Sequence, residues 1–215
     1  MAANRHRSYS RRSSEKKRDA RLFVIATEDT YAAKQYFSAF EGVSQRVKIM
    51  VFETTDNRSS PQHVIDRLIK YKRDEELDKD DCLWALLDTD HWVEPNHVSR
   101  LVEARKCAKE NDIMVAMSNP CFDLWLLLHH MDLPDDHGIL DGKGVTDFMR
   151  RNGVPFNKLR LELKDYGPEA VRRAIERAGR LMGLGPQSPS GWPQSAGTQV
   201  HLLLEELLKS GIVLG

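Results

Sequence analysis

The stretch Leu83-Trp84-Ala85-Leu86-Leu87-Asp88-Thr89-Asp90-His91 decides the fold. A wholly apolar run ends abruptly in two aspartates one residue apart. A short run without polar alternation suits a strand buried on both faces, as in a parallel sheet flanked by helices. Ligands of such sheets collect at the carboxyl ends of the strands, where Asp88 and Asp90 fall. Two carboxylates aimed into one crevice repel each other unless a cation lies between them or one keeps a proton. The pair therefore points to bound magnesium.

Upstream, Arg21–Thr27 is apolar and β-branched enough for a central strand, ending at Glu28-Asp29-Thr30. A helix follows, with Thr30 as its expected cap and Ala33, Tyr36, Phe37 and Phe40 on its inner side. Residues 46–52 form a second strand whose polar alternation suggests a sheet edge. After a polar loop, Ser59 or Ser60 caps a helix with Pro61 at its first position. Downstream of the Asp-x-Asp, Pro95 opens a helix that stops at Asn111-Asp112. Residues 113–117 make a fourth strand, and Asn119-Pro120 is read as cap and first residue of an unusually apolar helix reaching His130.

Strands alternating with helices imply an α/β fold with a mostly parallel sheet of about four strands. Beyond Met131 the strand signal vanishes. Helices are expected near Val145–Asn152, Glu169–Met182 and Gln199–Lys209, with a Gly/Pro/Ser-rich loop over 183–197. The expected organisation is a basic flexible arm (1–20), an α/β domain (21–131) and a helical appendage packed on it (132–215).

The 215 residues suit one domain with at most a modest appendage, and 40% apolar with 30% charged residues is ordinary globular composition. No apolar run is long enough to span a bilayer, and the basic N-terminal residues precede no apolar segment, so neither a membrane partner nor a secretory signal is expected. The cysteines Cys82, Cys107 and Cys121 are scattered, which argues against a disulfide framework or zinc site and fits a reducing cytoplasm. Net charge is zero but uneven: residues 1–21 hold eight Lys/Arg against Glu15 and Asp19, a net +6 balanced by about −6 in the remainder. The arm residues Arg11, Arg12, Lys16, Lys17 and Arg18, with Arg172 and Arg173 of the appendage, are candidates for tracking a nucleic-acid backbone, alongside Lys158, Arg160 and Lys164. A solvated leader without a role has the same composition.

Glu28, Asp88, Asp90 and Asp123 each follow a strand, at its end or in the next helical turn, and a parallel sheet places them on one rim. Hard oxygen donors gathered there suit Mg2+ or Mn2+, with phosphate oxygens as further ligands. Taken singly, each acid also has a plain role as a helix-dipole partner or a cap. His129, ending the buried helix, is a candidate general acid or base, though a histidine there also suits the dipole.

Those residues resemble a known family. Glu28 with Tyr36-Phe37 behind it, then Leu87-Asp88-Thr89-Asp90, then Ser118-Asn119-Pro120-Cys121-Phe122-Asp123-Leu124-Trp125-Leu126-Leu127-Leu128-His129, are similar to the RloB-like proteins. These are bacterial proteins with a TOPRIM-type fold, often encoded near restriction or phage-defence genes. The final Gly197-Thr198-Gln199-Val200-His201 stretch also resembles that family. The resemblance implies that Glu28, Asp88 and Asp90 hold magnesium for phosphoryl transfer. Asp123 falls where the family usually has Glu, and His129 matches the family's histidine. The family's first motif usually reads Glu-Gly with a further acid five residues after the Glu; here those positions are Asp29 and Ala33.

The expectation is a magnesium-dependent endonuclease cleaving RNA such as tRNA, or DNA, in anti-phage defence, with a defence-system protein as a further partner. The alternative is a non-catalytic TOPRIM-like sensor or scaffold binding a nucleotide or partner protein, for which Asp29 and Ala33 are the support. A metal-dependent sugar transferase leaves Glu28 and Asp123 without roles, and a dinucleotide enzyme lacks its glycine-rich turn.

Overall fold

The computed structural model describes residues 20–52, 60–89, 98–189 and 191–212. A five-stranded sheet with order β2-β1-β3-β4-β5 forms its centre. The strands are β1 (Arg21–Thr27), β2 (Val47–Phe52), β3 (Cys82–Asp88), β4 (Ile113–Asn119) and β5 (Gly197–Thr198). The first four run parallel, and β5 lies antiparallel to β4. β3 sits in the middle, buried from Cys82 through Leu87, because its apolar residues meet a layer on each face. β2 is an edge, as its alternation predicts.

Helices α2 (Pro61–Asp74) and α3 (Val98–Glu110) cover one face. Val64, Ile65, Leu68, Leu101 and Ala104 pack there on Val24, Leu83, Ala85 and Leu87. The other face carries α1 (Ala32–Ser38), α4 (Asp123–His130), α5 (Gly142–Arg151), α6 (Pro168–Leu184) and α7 (Val200–Lys209). Its core runs unbroken from Phe23, Ile25, Trp84 and Leu86 through α4 to Val171, Ala174 and Leu204. Residues 132–212 thus share a core with the sheet. α4 is buried all round, Leu124 to Leu128 included, each large side chain contributing about 1.5–3 kcal/mol.

Local chemistry sets the helix starts. The Ser60 hydroxyl accepts from the His63 N–H, and Pro61 takes the first helical position. Asp141 caps α5 by accepting from Gly144 N–H, so that helix begins three residues before Val145. Three expectations are corrected. Thr30 is not the cap of α1; Asp29 Oδ1 instead accepts the N–H groups of Tyr31, Ala32 and Ala33. α4 does not start at Pro120: the helix begins at Asp123, after a cis Asn119–Pro120 bond, and a side chain from β3 receives the Phe122 N–H. The strand signal does not end at β4, since Gly197–Thr198 pairs with Asn119 and Ser118. Two residues are too few for alternation to show in a sequence. The helix expected downstream of the Asp-x-Asp is α3, but its expected start at Pro95, like the loop over 53–59, lies outside the described residues.

Candidate active site

The carboxyl ends of β1 and β3 open into a pocket of roughly 680 Å³. Glu28, Asp29, Asp88, Cys121 and Asp123 line its floor and inner walls, with Lys158 among them. Glu28 is the residue after β1, and its backbone N–H bonds Leu86 O of the neighbouring strand, which fixes it beside β3. Asp88 ends β3, and its Oδ1 accepts the Phe122 N–H at 2.9 Å. That bond orients one carboxylate oxygen toward the start of α4, where the helix dipole favours negative charge. Asp123 occupies the first turn of α4 and is buried. Three of the four expected rim acids therefore share one pocket; Asp90, like His91, lies outside the described residues.

Lys158, which follows α5, enters this acidic floor. Its Nζ lies 2.6 Å from Asp29 Oδ2 and 3.5 Å from Asp123 Oδ1. Burial pulls its pKa down, but Asp123 and Asp29 outweigh that and leave it raised, so the ammonium stays charged. The charge pattern of the sequence groups Lys158 with Arg160 and Lys164 as a backbone-tracking cation; its side chain is instead drawn inward by two carboxylates. Asp29 thus does two jobs, capping α1 with one oxygen and binding Lys158 with the other. Gln35 secures the same loop: its Nε2 donates to Lys158 O, and its Oε1 accepts from Leu161 N–H. At the mouth, Tyr31 is 51% exposed and Leu159 69%.

Glu28 feels a second cation. Arg67 donates to Thr27 O at 2.8 Å, one residue before it. Burial lowers the Arg67 pKa, and the Glu28 charge partly restores it. The Cys121 thiol is pushed well up, first by burial and then by Asp88 and Asp123, which makes it a poor thiolate nucleophile.

His129 stands elsewhere. It is 2% exposed and does not line the pocket. Its Nδ1 lies 2.9 Å from Trp125 O and its Nε2 3.2 Å from Tyr36 Oη, inside a cage of Tyr36, Trp125 and Tyr166 rings. Burial, above all, lowers its pKa to about 3, so it is neutral. The expectation that it handles protons at the rim is corrected on geometry: six positions along α4 from Asp123 carry it about 9 Å down the helix into the core.

The nucleic-acid candidates divide. Arg172 and Arg173 project from α6 and pair at 3.5 Å with Glu169. Arg11, Arg12, Lys16, Lys17 and Arg18 lie outside the described residues. No described helix is long and apolar enough to cross a membrane.

The donor chemistry suits a hard divalent ion in part. Glu28 and Asp88 bring carboxylates to one pocket, and the Phe122 N–H holds Asp88 through Oδ1. Among the described residues, however, no three His, Cys, Asp or Glu side chains are grouped to hold a metal. The fit thus depends on Asp90 as third donor. Sequence reasoning misses the roles of Asp29 and Lys158. Asp29 is legible as a carboxylate three residues before Ala32, a capping spacing, whereas nothing in a lone lysine 129 positions later marks its partner.

Together the parallel sheet and the acidic pocket at its strand ends define an α/β domain with a candidate polar site on its rim. The chain matches the family model described as RloB-like protein over residues 23–207, and it belongs to that family. No curated protein and no solved structure matches it.

Proposed function

We propose that this chain is a metal-dependent endonuclease that cleaves RNA such as tRNA, or DNA, in anti-phage defence, on a TOPRIM-like fold. The observation that carries the reading is the convergence of Glu28 and Asp88 on one pocket from adjacent parallel strands. Membership of the RloB-like family is consistent with it. Glu28, Asp88 and Asp90 would hold Mg2+ or Mn2+, which when bound supplies a Lewis acid and an activated water for phosphodiester hydrolysis. The chain's own contribution is positioning. The Phe122 N–H keeps Asp88 in one orientation, and Lys158 holds Asp123 and Asp29 against the repulsion of the neighbouring acids. Lys158 also brings a fixed positive charge to a pocket that would receive a phosphate. The basic residues Arg11, Arg12, Lys16, Lys17, Arg18, Arg172 and Arg173 would track the backbone, so binding should weaken steeply with salt.

A second reading, a non-catalytic sensor or scaffold that binds a nucleotide or partner protein, is favoured by one observation. The Lys158 ammonium already offsets one of the two negative charges of Asp29 and Asp123, leaving less negative charge for a metal.

The test compares wild type with Asp88→Asn on total tRNA and on plasmid DNA, each with magnesium, manganese or a chelator. The asparagine keeps an oxygen for the Phe122 N–H and removes the charge. Cleavage that needs the metal and falls about a thousandfold in the variant is expected. No cleavage by folded wild-type protein under any condition sinks the nuclease and leaves the sensor.

A further inference from the structure

The sheet has an open edge far from the acidic pocket. β5 pairs only with Ser118 and Asn119, so the first half of β4 has no neighbour on that side among the described residues. The direction of its backbone groups follows from two bonds. Met117 N–H donates to Gln199 Oε1, and Met117 O accepts from Gln199 N–H, so Met117 faces away from β3. Alternate residues of a strand share a side. Val115 and Ile113 therefore present their N–H and C=O groups outward as well, and no described residue bonds them.

This edge borders a groove of roughly 770 Å³, whose other wall is the face of α3 bearing Arg105, Lys106 and Lys109. Pro189 and Asp112 also line it, and the Asp112 carboxylate is paired with Lys72 at 3.1 Å. Lys106 reaches Glu110 at 3.9 Å, a loose surface pair. Arg105 and Lys109 have no carboxylate within ion-pair distance among the described residues. Arg105 is half-buried, placed 5.9 Å over the Trp192 ring with Nη1 3.2 Å from Met117 Sδ, and burial alone lowers its pKa. A desolvated guanidinium without an acid is costly, and an incoming carboxylate would relieve it.

We propose that Ile113–Val115 is a docking edge for an extended acidic peptide of a partner protein. The peptide adds a strand below β5, bonding the outward groups of Ile113 and Val115. Its alternate side chains turn toward α3, so carboxylates at every second position meet Arg105, Lys106 and Lys109. Free backbone donors and acceptors beside the cations favour a peptide over a phosphate backbone, which would use the cations alone.

The probe is an end-capped, fluorescein-labelled peptide of about seven residues alternating glutamate and valine, long enough to cross the groove. Anisotropy is measured with the full chain, Arg105→Gln and Val115→Pro, beside a labelled oligouridine. Proline removes an N–H that bonds nothing within the described protein, and thermal melting checks that the variant folds. Binding is expected to weaken about tenfold in Arg105→Gln. It should be lost in Val115→Pro and with a peptide N-methylated on its backbone, which tests the strand bonds even if the proline variant unfolds. Binding that ignores both N-methylation and proline, capture of oligouridine but not peptide, or no peptide binding by folded wild type overturns the proposal.

Discussion

The segment carrying Asp29 and α1 meets α4 twice, and the two meetings are built oppositely. At one end Asp29 and Asp123 share the Lys158 ammonium, in the wall of an open pocket. At the other, Tyr36 and His129 join inside a sealed aromatic cage. The first is charged and within reach of a ligand; the second is neutral and reachable by none. The difference teaches that polar identity does not mark a functional residue. Asp123 and His129 share one short helix, yet depth along it sends one to the rim and the other to the core.

The comparison can be broken hardest at the cage. His129→Ala removes a packed ring from the core and is expected to cost about 3 kcal/mol by urea unfolding. Any cleavage activity per folded molecule should survive in it; loss of catalysis without loss of stability would return His129 to the site. At the rim, Lys158→Met leaves the buried Asp29 carboxylate without its cation. Because the lysine side chain is 41% exposed, solvent screening limits the expected cost to about 1–2 kcal/mol. A larger cost would show that the pair is structural first and that the pocket is not poised for a ligand.

The two regions should also answer differently to acid. The folded His129 pKa, lowered by burial to about 3 against 6.5 for a free histidine, means that the unfolded chain binds the extra proton first. The stability given by neutral His129 is therefore complete above 6.5 and is lost as pH falls toward 3. The slope in that window approaches about 1.4 kcal/mol per pH unit, and His129→Leu should flatten it. An unchanged slope in the leucine variant would mean that the rim acids, not the cage, set acid sensitivity. The smallest effect belongs to the exposed pairs of α6. Arg172→Ala and Arg173→Ala should shift stability by less than about 0.5 kcal/mol, and each should reduce the salt slope of nucleic-acid binding by about one if they touch phosphate.

Much of this is legible in the sequence where a pattern is local. The buried β3, the edge character of β2 and the Ser60-Pro61 helix start follow from runs of adjacent residues. The placement of Glu28, Asp88 and Asp123 on one rim follows from parallel topology, which local periodicity implies. What escapes is long-range. Lys158 reaches Asp29 across the chain, β5 adds a strand of two residues, and Asp88 holds the Phe122 N–H just ahead of a helix whose cap sequence rules assign to Asn119. None of these has a repeating signature. Each depends on where the tertiary fold brings a single side chain.

The lateness of β5 has a consequence for how the protein is made. Thr198 meets Ser118 from 80 residues further along the chain, and α7 adds Leu203 and Leu204 to the core only after that. As the chain leaves the ribosome, the first four strands emerge well before anything exists to pair with the outer edge of β4 or complete the layer over α4. The nascent protein therefore passes through a stage in which an apolar face and a full bare strand edge stand exposed together, the period when it is most in need of a chaperone.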